Sequence, residues 1–441
     1  MEGLKRKILE RIKQKGLTGD IFIERDKKTE LTVNDGTLEK IVNADSFGAG
    51  IRVFKNGKMG FSFFTTADEK EAIKMVDAAE TSALIEGYEN YVLPENTVSA
   101  GVKVFDVDLS LLAFEKKKQA ALTIEKEVKA SGKNIKFARD TTYGDNIISA
   151  WYANTSGADY VFEKTYCFAY TSAVASNGKE DEVVEGMTGG CGFAEKDFSL
   201  MAQDAGKRAE AMLGGISVKS GNYKLILPPY TAVQFLQVLS GMFLASASRK
   251  GKSLLSKYTL GDKLGSKIVT LRDDALLDYK MGSYNFDGEG TKGENKALIE
   301  NGVFKGLLYD VLNAGYMNTK STGNCTRASY KAMPEPGTSN FYIPAGESKV
   351  EDMARKASGI FVNSLMGLHT VDQVSGNFSL GINGWLMKDG AVVHPVKTAL
   401  ISGNIKTLLE SISCICDDLK FYANFGSPTL IVNDILVAGK E

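Results

Sequence analysis

The alternation of apolar and polar residues predicts a chain made largely of β-hairpins. Residues 50–64 alternate on both sides of Asn56-Gly57, a dipeptide that accepts the positive φ angles of a two-residue hairpin turn. Residues 135–193 form a longer β-rich stretch that turn signals interrupt. Dipeptides of the same kind recur at Asp35-Gly36, Asn177-Gly178, Asp287-Gly288, Asn301-Gly302, Asn383-Gly384 and Asp389-Gly390. The pattern therefore predicts antiparallel strands joined by tight turns.

Helical periodicity is confined to a few segments. They are a basic amphipathic helix built on Leu4, Ile8 and Ile12, followed by residues 67–84, 111–132, 195–213 and 231–247. The third is predicted to end at Gly132, since a left-handed C-cap favours glycine. Its expected apolar side consists of Leu111, Phe114, Ala121, Ile124 and Val128.

These changes of pattern divide the chain into three predicted units, residues 1–90, 91–215 and 216–441. The first two combine hairpins with amphipathic helices, and the third is mostly β. The predicted fold class is therefore α+β, with an N-terminal α/β region of antiparallel hairpins and amphipathic helices and a mainly antiparallel β domain at the carboxy terminus.

Composition narrows the function classes. The 441 residues include 53 Lys+Arg and 54 Asp+Glu, so the net charge of -1 gives no electrostatic footprint for nucleic acid. No apolar run is long enough for a membrane span, and the charged amino terminus does not resemble a signal peptide. Five cysteines form an odd, sparse set that suits a reducing compartment. We therefore expect a cytoplasmic protein that binds neither nucleic acid nor membrane.

Few side chains are suited to metal chemistry. Cys414 and Cys416, followed by Asp417 and Asp418, combine soft and hard ligands, but two thiols on one face of an extended segment also fit a buried core. The only two histidines, His369 and His394, have no partner at ligand spacing. Buried thiols and hydrogen-bonded structural histidines are the favoured interpretations.

The densest polar region, residues 321–346, contains three of the eight prolines. Arg327 and Asn340 within it carry groups that match a peptide carboxylate or backbone amide. A structured turn that satisfies its own backbone explains the same residues equally well. Composition does not separate the two interpretations.

Several short motifs occur in an order that resembles the TldD/PmbA family, whose members have been described as modulators of DNA gyrase. The amino-terminal hairpins, with residues 43–54, are similar to its first domain, so the resemblance covers essentially the whole chain. The carboxy-terminal motifs are Phe286-Asp-Gly-Glu-Gly-Thr, residues 298–310, Ser321-Thr-Gly-Asn-x-x-Arg327, Pro336-x-x-Ser-Asn340, Ser375-Gly-Asn-Phe-Ser379 and Ile401-Ser-Gly-Asn404.

The resemblance implies a cytosolic α+β protein of a two-type metalloprotease assembly that trims or degrades peptides. One type carries a His-Glu-x-x-x-His helix that binds zinc with help from a downstream cysteine, and the other lacks these ligands. The corresponding positions here are Leu236, Gln237 and Gly241, and Cys414 lies near the position of that cysteine. Leu and Gly have no side-chain ligand, and an amide cannot replace the Glu as a base. The chain is thus identified as the type without the zinc motif.

This identification carries over no catalytic residue and no metal ligand. It implies possible peptide contacts through Asn324, Arg327 and Asn340. We expect no cofactor in this chain, zinc in a TldD-like partner subunit, a peptide substrate, and a homodimer when the chain is isolated. Two alternatives remain open: a self-associating peptide-binding or scaffold protein that needs no protease, and an independent hydrolase that uses Cys414, Cys416, Asp417 and His residues brought together by folding.

Overall fold

A six-stranded antiparallel sheet organises the amino-terminal half of the protein. The computed structural model describes residues 1–99 and 101–440. The strand order in this first sheet is β3-β2-β1-β4-β5-β6. The elements are α1 (Glu2–Gln14), β1 (Thr18–Asn34), β2 (Thr37–Lys55), β3 (Lys58–Phe64), α2 (Glu69–Thr81), α3 (Val107–Ser110), α4 (Phe114–Ala130), β4 (Ile135–Asn154), β5 (Asp159–Ser176), β6 (Asp181–Gly190) and α5 (Glu195–Ala211).

Buried and less buried side chains alternate along β1, so one face of this sheet packs against the core. Ile21 and Ile23 are buried against α1 and α2, and Leu31 and Val33 are buried against α4. The residues between them point the other way, since successive side chains of a strand face opposite sides of the sheet. This second face, which includes Asp20 and Glu24, is turned toward the carboxy-terminal half.

The carboxy-terminal half begins after α5 and contains shorter elements. They are β7 (Gly221–Leu227), α6 (Pro229–Met242), α7 (Ala245–Arg249), a 3₁₀ turn (Leu254–Lys257), β8 (Leu271–Asp274), β9 (Asn295–Glu300), β10 (Val303–Phe304), α8 (Val311–Tyr316), β11 (Cys325–Thr326), β12 (Glu335–Pro336), β13 (Asn340–Tyr342), α9 (Val350–Arg355), β14 (Gly359–Met366), a second 3₁₀ turn (Leu368–Thr370), β15 (Asn377–Lys388), β16 (Ala391–Asn404), α10 (Ile405–Glu410), β17 (Ile412–Ile415), β18 (Lys420–Tyr422), β19 (Phe425–Ser427) and β20 (Leu430–Ala438).

Two larger sheets of this half enclose α6. The second sheet has the order β10-β9-β8-β13-β19-β18, and the third has the order β16-β15-β14-β7-β20-β17. An additional pairing of β16 with β20 closes five strands of the third sheet into a ring. Phe235 of α6 lies 5.9 Å from Phe378 of β15, and Phe243 lies 5.9 Å from Phe341 of β13, between ring centroids. The helix is therefore part of the core that joins the two sheets.

The α+β class is confirmed, and so are several of the predicted turns. Asn56 and Gly57 have φ angles of 51° and 72° between β2 and β3, as a hairpin turn of this kind requires. Asn383-Gly384, in contrast, lies inside β15 and is no turn. A Cβ atom on Gly384 would collide with the carbonyl oxygen of Phe361 on the neighbouring strand, so the glycine permits close strand packing.

Each of the five predicted helical segments contains a helix, but several boundaries were wrong, and the short helices α3, α8, α9 and α10 were not predicted. Leu4, Ile8 and Ile12 are buried on α1, as predicted. The third helix begins only at Phe114, and Leu111 is 77% exposed between α3 and α4. The predicted left-handed cap at Gly132 is wrong, because Ser131 ends the helix and Gly132 is not among the glycines with a positive φ angle. The apolar segment 231–247 is divided between α6 and α7.

The two halves meet across the second face of the first sheet. The rings of Tyr160 on β5 and Phe286 stack with centroids 3.6 Å apart. Tyr330 packs onto β2 where glycine leaves room, since a side chain at Gly48 would collide with its ring. The predicted boundary near residue 90 lies between α2 and α3, and the strands of the first two predicted units share one sheet. In the described part of the chain, no helix is both long and apolar enough to cross a membrane.

Candidate functional site

Helix α6 carries the positions that correspond to the zinc motif, and its two sides have different environments. The helix begins at Pro229, whose fixed φ angle suits a first helical position. Thr231 fixes its first turn by donating a hydrogen bond of 2.9 Å to the carbonyl oxygen of Val362 on β14. Leu236 is buried in the core, whereas Gln237 is exposed. The position of the first zinc ligand is therefore occupied by a core residue.

The outer side of α6 forms one wall of a cleft of about 270 Å3. The other wall comes from the second 3₁₀ turn and the residues after it. The residues that line the cleft are Gln234, Gln237, Val238, Leu368, His369, Val371 and Gln373. Gly241 lies on the same side, since a Cβ atom there would lie 3.2 Å from the amide nitrogen of Gln373. His369, which is exposed, is the single ionisable side chain of this lining.

This lining does not provide a metal centre. A hydrolytic zinc site needs three protein ligands, and His369 is the single residue of the cleft lining with a strong ligand for zinc. Within residues 1–99 and 101–440, no three His, Cys, Asp or Glu side chains come together in a way that could hold a metal ion.

The two cysteines near the carboxy terminus lie at the end of β17. Cys414 is half-buried and Cys416 is buried, and all five cysteines are free thiols. Burial, together with the neighbouring Cys414 and Asp418, raises the pKa of Cys416 to about 12. Cys416 is therefore a protonated thiol at neutral pH, which makes it a poor nucleophile.

Asn324 and Asn340, two of the predicted peptide-contacting residues, are fully buried. Asn324 donates to the carboxylate of Asp273 at 2.8 Å. Asn340 donates to the carbonyl oxygen of Asp274 and to the hydroxyl of Ser283, both at 2.7 Å, and accepts from the backbone N–H of Gly282 at 3.0 Å. Both amides thus hold the 321–346 segment against β8, and the structure does not bring them together with Arg327 in one open groove.

Arg327 leaves this segment and reaches the first sheet. Its Nε donates to the carbonyl oxygen of Gly288 at 2.6 Å, and its Nη2 lies 3.4 Å from both carboxylate oxygens of Asp20. The guanidinium carbon lies 5.0 Å from the ring centroid of Phe22. Nη1 is buried and has no hydrogen-bond partner among the described residues. Sequence analysis found Arg327 but could not identify its partner on β1.

Asp20 is the centre of a buried charge network that sequence analysis missed. Arg52 on β2 donates from Nε to both Asp20 oxygens at 3.1 Å, and from Nη1 to Glu289 at 3.0 Å. Burial acts to raise the pKa of Asp20, but the charges of Arg52 and Arg327 outweigh it and hold the pKa below its usual value. Asp20 is therefore ionised at neutral pH. Asp20 and Arg52 lie opposite each other across the hairpin of β1 and β2. This pairing of opposite charges was the signal from which sequence analysis could have found the network.

Glu24, two residues further along the same face of β1, has a different environment. Burial and, to a smaller extent, the nearby charge of Asp26 raise the pKa of Glu24, the charge of Arg327 opposes them, and the resulting pKa is about 7. Glu24 therefore changes its protonation state near neutral pH beside the contact between the two halves.

Comparison with known proteins covers nearly the whole chain. Three domain models of the PmbA/TldA metallopeptidase match it: domain 1 at residues 19–83, the central domain at 108–213 and the C-terminal domain at 220–439. A metalloprotease of Methanocaldococcus jannaschii is 27% identical over 433 residues, which are 95% of this chain and 93% of that protein. A metalloprotease TldD homologue of Buchnera aphidicola is 30% identical over 275 residues, 59% of this chain and 56% of that protein.

A solved structure shares the fold. The crystal structure of TldE from Thermococcus kodakarensis superimposes with a TM-score of 0.89 at 22% identity and covers 100% of both chains. At this identity, the likeness concerns the fold alone.

Proposed function

Because this chain belongs to the PmbA/TldD family of metallopeptidases, we propose that it is the subunit of a peptide-cleaving complex that binds no metal itself. Its partner is a family member with the zinc motif, and the two together act on peptides. The observation that carries this proposal is the side of α6 that faces the cleft. At the motif positions, Gln237 lines this cleft, Gly241 lies beside it and Leu236 is buried in the core, where a hydrolytic subunit needs two ligands and a base.

The chemistry of these side chains explains why we propose that the partner, and not this chain, binds zinc and cleaves the peptide. Zinc-assisted hydrolysis requires an anionic or imidazole ligand set and a group that accepts a proton from water. The amide of Gln237 does not accept a proton at neutral pH, and Leu236 and Gly241 offer no side-chain ligand. This chain therefore contributes binding surface and shape to the complex, and the partner contributes the bond-breaking step.

Arg327 is the residue of this chain that we propose contacts the peptide. Its Nη1 is the part of the guanidinium not used by Gly288 or Asp20. A peptide carbonyl or carboxylate oxygen would satisfy that donor after a small movement of the segment above the first sheet. Asn324 and Asn340 support this contact indirectly, since they hold the segment that carries Arg327.

Reconstitution tests the subunit role. The chain is purified from its native cell, and the eluate is searched for a partner with a His-Glu-x-x-x-His sequence. We expect such a partner to co-elute, and we expect peptide hydrolysis from the mixture but not from this chain alone. Hydrolysis by the partner at an equal rate without this chain would contradict the proposal, as would hydrolysis by this chain alone.

The Arg327→Lys variant tests the proposed contact separately. Lysine keeps the charge but loses the planar set of donors. We expect peptide hydrolysis by the complex to fall roughly ten- to hundred-fold, as for a lost charge-assisted hydrogen bond. Thermal unfolding is measured in parallel, because Arg327 also contacts Gly288 and Asp20. A variant that unfolds earlier yet cleaves at the wild-type rate while folded would assign Arg327 a purely structural role.

A further inference from the structure

The cleft beside α6 contains three side-chain amides around an apolar floor. Gln234 and Gln237 come from α6, and Gln373 comes from the segment after the second 3₁₀ turn. Gln237 and Gln373 are exposed at the rim, whereas Gln234 is half-buried. The apolar part consists of Val238, Leu368 and Val371.

The amide oxygen of Gln234 is buried and has no hydrogen-bond partner among the residues that the structure describes. Most buried side-chain polar atoms in proteins are hydrogen-bonded. The unpartnered oxygen of Gln234 in the wall of the cleft therefore indicates a hydrogen-bond donor that does not belong to this chain. Gln234 is one of the residues that line the cleft, so a rotation of its side chain would bring this amide to a ligand bound there.

The charges around the cleft limit the chemistry of this donor. Its lining includes no Lys, Arg, Asp or Glu, and the exposed His369 is its one ionisable side chain, so the less exposed part of the cleft has no charge that would neutralise a fully charged ligand. A neutral group that both donates and accepts hydrogen bonds suits the three glutamine side chains best. A ligand amide has this property, and it also matches Gln234 if its side-chain amide rotates and exchanges oxygen with nitrogen.

We propose that this cleft binds an amide group of a peptide through Gln234, Gln237 and Gln373. The amide comes either from a Gln or Asn side chain or from the peptide backbone. The volume of about 270 Å3 is slightly below the range for drug-sized ligands, so the cleft holds one side chain or a short piece of backbone. Val238, Leu368 and Val371 contact the methylene or methyl groups next to the amide.

This site depends on this chain alone and goes beyond the subunit role. Binding of a peptide amide requires neither zinc nor a partner, so it is measured on the isolated full-length chain. If binding fails while reconstituted hydrolysis succeeds, only the cleft proposal is lost. If binding succeeds while reconstitution fails, only the subunit proposal is lost.

The probes are three capped amino acids: N-acetylglutamine methylamide, N-acetylglutamate methylamide and N-acetylalanine methylamide. Side-chain NH2 signals of the 15N-labelled chain are followed by NMR during titration. For a ligand of this size we expect a Kd of about 1 mM for the glutamine probe. The shifted NH2 signals should include those of Gln234 and Gln373, which are assigned from their loss in the corresponding Leu variants.

Gln234→Leu should raise the Kd of the glutamine probe about five- to tenfold, as expected for one lost neutral hydrogen bond. Gln373→Leu, at the exposed rim, is the second variant and should weaken binding without disturbing the core. Gln119→Leu is the matched control, since Gln119 lies on α4 and donates to Thr123 at 3.3 Å. It should leave the Kd unchanged.

The pattern across the probes decides the proposal. Preference for the glutamine probe supports a side-chain amide, and equal binding of all three probes, weakened by Gln234→Leu, supports a backbone amide. The proposal is overturned if no glutamine NH2 signal shifts up to about 20 mM probe, roughly twenty times the expected Kd. It is also overturned if the glutamate probe binds most tightly, or if both Leu variants bind the glutamine probe like the wild type.

Discussion

Arg327 and Asp20, which are 307 residues apart in the chain, form a buried ion pair in which Nη2 lies 3.4 Å from each carboxylate oxygen. Their side chains are 1% and 0% exposed. Arg52 contacts the same carboxylate from the neighbouring strand. Asp20 therefore connects the first sheet to the segment that carries the family's carboxy-terminal motifs.

Replacement of Asp20 should destabilise the protein strongly. Asp20→Asn removes the negative charge that compensates the buried side chains of Arg52 and Arg327. Breaking a buried ion pair in this way typically lowers the unfolding free energy by about 3 to 5 kcal/mol. Urea denaturation measures this loss. Asp45→Asn is the control, because Asp45 pairs with Arg25 at the surface and the effect should be much smaller. Equal losses of unfolding free energy in the two variants would show that the buried charge network contributes little to stability.

Replacement of Asn340 should weaken the 321–346 segment. Asn340→Ala leaves the N–H of Gly282 and the carbonyl oxygen of Asp274 without their side-chain partner in a buried position. We expect a loss of about 3 kcal/mol in unfolding free energy. Calorimetry of this variant is compared with Asn43→Ala, which changes an exposed residue of β2. If the melting temperature is unchanged in both variants, Asn340 does not stabilise the 321–346 segment.

The pKa of Glu24 predicts a pH-dependent effect on stability. Burial, aided by Asp26 and opposed by Arg327, raises this pKa to about 7, so the folded state binds more protons than the unfolded state between pH 4.5 and 7. The unfolding free energy therefore falls as pH rises through this range and stays lower above it.

Glu24→Gln removes this loss. Relative to the wild type, the variant should gain about 1 to 2 kcal/mol between pH 4.5 and pH 8, after allowance for partial solvent exposure. Chemical denaturation at the two pH values measures the difference. Glu39→Gln, at an exposed position of β2, should show no comparable change. A gain that is the same at both pH values would rule out titration of Glu24 as its cause.

The purified chain should contain no stoichiometric zinc. The cleft beside α6 has one histidine and no carboxylate or thiol in its lining, and no three potential ligands come together among the described residues. Elemental analysis after purification without chelators measures zinc content. About one zinc per chain that disappears in Cys414→Ala would instead support an independent hydrolase.

The isolated chain should form a dimer. The strands β3 and β6 are the outer strands of the first sheet, and such edges commonly need a covering element or a partner. Light scattering at micromolar concentration should give twice the chain mass of 47.7 kDa. A mass of one chain, with and without a zinc-motif partner, would contradict this prediction.

The structure of local elements follows closely from the sequence. The turn at Asn56-Gly57 forms because both residues tolerate positive φ, and α1 forms with Leu4, Ile8 and Ile12 on its buried side. The predictions for Leu111 and Asn383-Gly384 were wrong where tertiary packing set the outcome. Leu111 lies in the exposed gap between two helices, and Gly384 accommodates a neighbouring strand.

The candidate sites depend on contacts that sequence patterns do not describe. The absence of the zinc motif at Leu236, Gln237 and Gly241 is visible in the sequence, because it depends only on residue identity. The pairing of Arg327 with Asp20, and the meeting of Gln234 with Gln373 in one cleft, join segments far apart in the chain. Periodicity reports the side of an element that is buried, but not the element that covers it. That choice is made by packing of the whole chain, so only the tertiary structure decided which charges are paired and which amide remains without a partner.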